Sequence, residues 1–165
     1  MGAPAGTGWQ KISGRLRFIV CSQATNGAGL FSVFGANKAG AVYYLNGVSF
    51  SNGSGTGWRR LSGARVTQIA IGWFGRIVYC VTWVGSVYRR TGITSGNPAG
   101  TGWSRIPSSI SMKALGISPT GEVYAVGTNR VLYYRSGITS LNLSGTSWIS
   151  TGITGLDRIA AGLQL

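Results

Sequence analysis

One short phrase recurs along the chain and constrains it more than any other feature. Gly6-Thr7-Gly8-Trp9 returns as Gly55-Thr56-Gly57-Trp58 and as Gly100-Thr101-Gly102-Trp103, and once more, altered, as Gly145-Thr146-Ser147-Trp148. The tryptophans are spaced by 49, 45 and 45 residues. Other positions keep the 45-residue step: Tyr43, Tyr88 and Tyr133; Val33, Val78 and Val123; Phe34, Tyr79 and Tyr124; Gly47, Gly92 and Gly137; Asn52, Asn97 and Asn142. A register held at this many positions marks a chain assembled from stacked copies of one supersecondary unit.

Each unit reads as four short strands. In the second, Arg65 to Ile71 is the first strand and Ile77 to Trp83 the next, after Gly72 and Gly75. Gly85 marks a turn before Ser86 to Arg90, and Gly92 opens a longer loop containing Asn97-Pro98, ahead of Trp103 to Ile106. The runs are β-branched and aromatic and are bounded by turn-forming residues. The 28 glycines and scarcity of helix formers point the same way. Four strands in about 45 residues is the pattern of one β-propeller blade. The expected fold is therefore all-β, with propeller-type repeats of four short antiparallel strands. Residues 1–165 read as a single domain of three full blades plus two partial ends. The chain starts on an outer strand and finishes, at Leu156 to Leu165, where an innermost strand belongs. Open sheet edges invite pairing with another chain, so the expectation is self-association or a fragment of a longer protein.

Fifteen Lys and Arg face two acids, Glu122 and Asp157, for a net charge of +13. That balance attracts anionic partners: nucleic acid, lipopolysaccharide or other anionic surface polymers. The cations are dispersed, with doublets only at Arg59-Arg60 and Arg89-Arg90, and no nucleic-acid motif is present, so nucleic acid is the weaker candidate. No stretch reaches the roughly 18 apolar residues of a membrane span, and no signal peptide is visible. Cys21 and Cys80 each follow an apolar run, which suits buried strand positions over a disulfide.

Catalytic chemistry is thinly represented. Histidine is absent, which removes the commonest general base and metal ligand. Glu122 follows Gly121 and reads as a turn residue, and Asp157 beside Arg158 reads as a local ion pair. Two cysteines without histidine make no zinc site, and calcium wants more carboxylates than the chain offers. No enzyme activity, cofactor or metal is expected.

The segments Val87-Tyr88-Arg89-Arg90-Thr91-Gly92-Ile93-Thr94 and Gly100-Thr101-Gly102-Trp103 resemble the tectonin repeat, as do Leu132-Tyr133-Tyr134-Arg135-Ser136-Gly137-Ile138-Thr139 and Gly145-Thr146-Ser147-Trp148. The first unit departs, since Val42-Tyr43-Tyr44-Leu45-Asn46-Gly47 lacks the arginines. The resemblance covers nearly the whole chain. It implies a β-propeller lectin that recognises surface glycans of microbes or cells, with an extracellular setting. Family members often have six blades, so a pair of chains is the simplest completed ring, although each junction would lack two middle strands. Under the lectin reading the ligand-binding candidates are Arg89, Arg90, Asn97 and Trp103, with Arg135, Asn142 and Trp148 in the next unit. Each has a plainer alternative: an exposed strand cation for the arginines, a turn for the asparagines, packing between blades for the tryptophans. A self-assembling adhesive protein that coats anionic surfaces is the competing reading.

Overall fold

A computed structural model describes residues 11–22, 31–63 and 65–160. Three four-stranded antiparallel sheets account for the regular structure of those residues. Blade 1 holds β1 (Phe18–Cys21), β2 (Val33–Ala36), β3 (Val42–Asn46) and β4 (Gly57–Arg60). Blade 2 holds β5 (Val66–Gly72), β6 (Ile77–Thr82), β7 (Val87–Thr91) and β8 (Gly102–Ile106). Blade 3 holds β9 (Met112–Ile117), β10 (Val123–Gly127), β11 (Leu132–Arg135) and β12 (Trp148–Ser150). Within each sheet the strands are paired in chain order, the meander of a propeller blade. The strands expected in the second unit match those observed to within one residue at each end.

Of the two expected partial ends, the outer strand around Trp9 lies outside the described residues, as do residues 161–165. Residues 151–160 form no strand. They bond instead along the open end of blade 3, where Leu132 N donates to Ile153 O at 2.9 Å and Leu156 N to Arg130 O at 3.1 Å. An innermost strand needs a middle strand beside it, and no described residues supply one there.

Strand geometry sends alternate side chains to opposite faces, and cross-strand partners share a face. In blade 2 the row Ile69–Cys80–Tyr88 therefore points one way and Ala70–Tyr79–Arg89 the other. The first row packs on Phe34, Ala36, Val42 and Tyr44 of blade 1. The second row's Ala70 and Tyr79 pack on Leu115, Ile117, Val123 and Ala125 of blade 3. Both sheet faces of the middle blade are thus packed, which is why its strand β6 reads as a near-continuous apolar run.

Polar groups tie the blades in register. The Gln68 side-chain amide donates to Leu115 O and accepts from Leu115 N, both at 2.8 Å, so it acts like one more rung beside β9. The buried Tyr79 hydroxyl donates to Leu143 O at 2.8 Å, and its pKa is pushed up to about 12, chiefly by burial. The repeated tryptophans pack on the preceding unit. A Cβ added to Gly63 would stand 2.5 Å from Trp103 Cδ1, and Gly14 approaches Trp58 in the same manner. Packing between units is thus a structural role of these rings.

Both cysteines are free. Cys80 is buried between blades 1 and 2, as expected, but Cys21 is exposed. The apolar run before Cys21 does not bury it, because no described residues place another blade against that side of blade 1.

The loop glycines set a stability test. Gly100 has φ +67°, and a Cβ there would lie 2.4 Å from Thr91 O. Gly100→Ala is expected to destabilise the fold by about 1–3 kcal/mol in denaturant unfolding. Gly96, with open space around its Cα, is the control, and Gly96→Ala should stay within about 0.5 kcal/mol of the parent.

Candidate functional site

The antiparallel register places Arg90 opposite Trp103 and Arg135 opposite Trp148. Each guanidinium lies over its tryptophan, at 5.1 Å and 5.4 Å from the ring centroid, within cation–π range. Arg90 Nε donates to Ala99 O at 2.7 Å and its Nη2 to Gly100 O at 3.1 Å. Arg135 repeats the arrangement, donating to Ser144 O at 2.8 Å and Gly145 O at 3.4 Å. The loop between is folded by its asparagine: Thr94 and Asn97 exchange backbone hydrogen bonds, as do Thr139 and Asn142. Arginine, loop asparagine and tryptophan thus come together in both units, as one clasp that fixes the long outer loop.

That clasp leaves little for a ligand. Arg90 is buried, and its Nη1 and the Nε1 atoms of Trp103 and Trp148 are sealed without partners. Burial lowers the pKa of Arg90, helped by the positive charge of Arg59. Burial also lowers that of Arg135. Arg89 is half-buried and spans the blades, donating from Nε to Ser144 Oγ at 2.9 Å and from Nη1 to Arg90 O at 3.3 Å. Asn142 Oδ1 accepts from Ser144 N at 3.2 Å, whereas Asn97 joins its turn through its backbone alone. In blade 1 Leu45 stands opposite Trp58, so packing alone supports the ring there.

Arg135 differs from Arg90 in one respect: it lines an open cleft of about 350 Å³, at the small end of the roughly 300–1,000 Å³ typical of ligand sites. Trp73, Thr120, Glu122 and Tyr134 line it too, with the run from Ser136 to Ser140. Trp73 opens the short 3₁₀ turn Trp73–Gly75 between β5 and β6. Its φ of +44° is a left-handed value that a bulky residue seldom adopts. Hydrogen bonds hold it there: Trp73 N donates to Pro119 O at 3.1 Å, and Arg76 N to Trp73 O at 3.0 Å.

Glu122 supplies the cleft's anion. Its Oε2 accepts from the hydroxyls of Ser118 and Thr120, which hold the carboxyl below the usual carboxylate range. Its Oε1 accepts no hydrogen bond from the described residues and remains open to an incoming hydroxyl. Glu122 is a turn residue, as its sequence context implies, and it also faces solvent beside a tryptophan. Asp157 pairs with Lys113 Nζ at 2.7 Å and Arg130 Nη2 at 3.2 Å. The two carboxylates flank opposite ends of blade 3, because Lys113 lies at the start of β9 and Glu122 beyond its end.

Of the expected residues, Arg135 alone lines this cleft. Trp73 and Glu122 were not singled out for binding, because the repeat does not contain them. The 45-residue step carries Glu122 to Ile77 and Tyr134 to Arg89. The signal available in the sequence was that departure itself: one of only two acids, and a tryptophan out of step with the repeated ones. The opposite end of the molecule carries a different surface, a cleft of about 580 Å³ between the exposed Arg60 and Arg65.

Stacked four-stranded meanders with long clasped outer loops define a β-propeller repeat protein. A profile of the tectonin domain matches residues 2–118, and the chain belongs to that family. A propeller profile matches residues 122–150. A sequence comparison with curated proteins returned no match. Among solved structures the chain is similar to human WBSCR16, with 15% identity and a TM-score of 0.52, over 79% of this chain and 35% of that one. It is also similar to YCF48 bound to D1 peptide, with 16% identity and a TM-score of 0.52, over 88% of this chain and 45% of that one. The chain therefore spans less than half the length of either.

The clasp predicts a separation of stability from binding. Arg90→Ala removes two hydrogen bonds and a ring contact from a buried position, and should cost about 2–4 kcal/mol in thermal or denaturant unfolding. Arg90→Lys should recover little of this, because an ammonium cannot bridge two carbonyls and stack as a guanidinium does.

Proposed function

We propose that the protein is a calcium-independent lectin that binds a neutral sugar at the Trp73–Glu122 cleft of blade 3. The observation that carries this reading is the pairing of an aromatic wall with a carboxylate that is anchored through one oxygen and open at the other. Sugars present C–H faces to aromatic rings and hydroxyls to carboxylates and amides, and a cleft that offers both orients such a ring. Arg135 Nη1, which makes no hydrogen bond to the described residues, adds a donor. The hydroxyls of Thr120, Thr139 and Ser140 line the same space. The calcium independence follows from having a single acid in the cleft. The protein acts by binding and not by catalysis: a glycosidase pair needs two carboxylates about 5–10 Å apart, and Glu122 and Asp157 flank opposite ends of a six-residue strand.

The cleft is not repeated at the 45-residue step, so avidity for a glycan-covered surface of microbial or other cells comes from several copies of the chain acting together. Such a protein functions outside the cell as an oligomer. The net positive charge, which includes the exposed Arg60 and Arg65 at the other end, favours approach to anionic surfaces such as lipopolysaccharide.

A glycan array at moderate salt, with and without chelator, tests the reading. Binding to a defined sugar set should be blocked by the free sugar and unchanged by chelator. Glu122→Gln and Trp73→Gly should each weaken it by about tenfold or more, or roughly 1.4 kcal/mol. Trp73→Gly relieves the left-handed backbone but also removes the ring's packing on the core, so its binding is compared at a temperature well below its own unfolding midpoint. Attachment that ignores both substitutions and collapses with salt would move the function to the anionic-surface reading. Acid should also release the sugar. Because the folded-state pKa of Glu122 is depressed, its contribution is complete above the ordinary carboxylate range and is lost as pH falls through that lowered value.

A further inference from the structure

Each end blade is open on its outward face at rows that the middle blade buries, although Val33 and Leu45 on that face of blade 1, and Ala114 and Val126 on that of blade 3, are covered within the chain. On blade 1 the row Ile19–Gly35–Tyr43 occupies the positions of Ile69–Cys80–Tyr88 in blade 2 and Leu115–Ala125–Tyr133 in blade 3. Ile69 and Leu115 keep 2% and 1% of their surface, because the preceding blade covers them, whereas Ile19 keeps 56%. Cys21, in the position of the buried Ile117, is exposed on the same side. On blade 3 the row Tyr124–Tyr134–Ile149 occupies the positions of Phe34–Tyr44–Arg59. Tyr44 is 4% exposed beneath blade 2, whereas Tyr134 and Ile149 are each 40% exposed.

We propose that these faces bind each other between copies: the uncovered face of blade 3 docks on the uncovered face of blade 1 of a second copy of this chain, head to tail. The chain already builds this interface twice, blade 1 against blade 2 and blade 2 against blade 3, from residues at the same repeat positions. The contact between copies continues that packing and needs no new surface chemistry. Apolar side chains are exposed at the row positions that the internal interfaces bury, which marks an interaction surface. The high positive charge does not oppose the contact, because Arg60, at the outer end of the blade 1 row, meets Ile149 at the outer end of the other. A contact between unlike faces generates a ring when the rotation closes and a filament when it does not.

Light scattering on the full chain and on two single variants tests this. The parent should have a mass at least twice the 17.3 kDa of one chain. Ile19→Glu and Ile149→Glu, both at exposed positions, should each give single chains with an unchanged circular dichroism spectrum. Mixed in equal amounts, they should form a two-chain species, because one retains an intact blade 3 face and the other an intact blade 1 face. A parent that stays a single chain overturns the proposal, as does a mixture that stays monomeric. Thiol labelling provides a second measurement independent of mass. Burial raises both thiols, that of Cys80 to about 12, and Cys80 is enclosed while Cys21 is exposed, so Cys21 is the accessible cysteine. Its labelling should be slow in the parent assembly and at least tenfold faster in either variant, and equal rates in all three would overturn the proposal.

Discussion

A sheet of short strands with apolar side chains on both faces cannot be stable alone, and everything in this protein follows from that constraint. Each blade needs a neighbour on either side. The middle blade has both, and its strand β6 is buried from end to end. Tyr79 shows how tightly the need is met, with its ring wholly enclosed and its hydroxyl bonded to a loop carbonyl of the next blade. Gln68 does the same for the inner strands, giving its amide to both backbone groups of Leu115. Apolar burial supplies the attraction, and these polar ties fix the register in which it is realised.

The same packing separates framework from site. The arginine–tryptophan clasps are the most conspicuous chemistry in the repeat, yet the Nε and Nη2 atoms of both arginines are spent on loop carbonyls. The candidate site arises where the repeat is broken. The β5–β6 turn carries Trp73 in a left-handed conformation, and the β9–β10 turn carries Glu122 where the other units have Ser32 and Ile77. A repeat position is held in step by the need to stack. A position out of step is released from that need and is free to carry function.

The fold was legible because periodicity reports packing directly. The 45-residue step, the glycines flanking each run and the tryptophan after each loop located the strands of the second unit to within a residue. The site was less legible for the same reason. Arg90, Asn97 and Trp103 stood out because they recur, and recurrence here means structure. Arg135 is the exception, a clasp residue that also reaches the cleft. Cys21 misled in a different way: its strand reads like that of Cys80, and only the missing neighbour on its side of blade 1 leaves it exposed.

By itself the sequence determined that the chain is a stack of four-stranded units and that it is strongly basic, with two acids and no histidine. Those properties depend on residue type and spacing alone. The tertiary structure decided which face of each strand is covered, which arginine is sealed and which is open, and that a turn of blade 2 and two loops of blade 3 meet around one carboxylate. Such outcomes depend on contacts between residues tens of positions apart, and a periodic pattern repeats within each unit without recording what the next unit places against it.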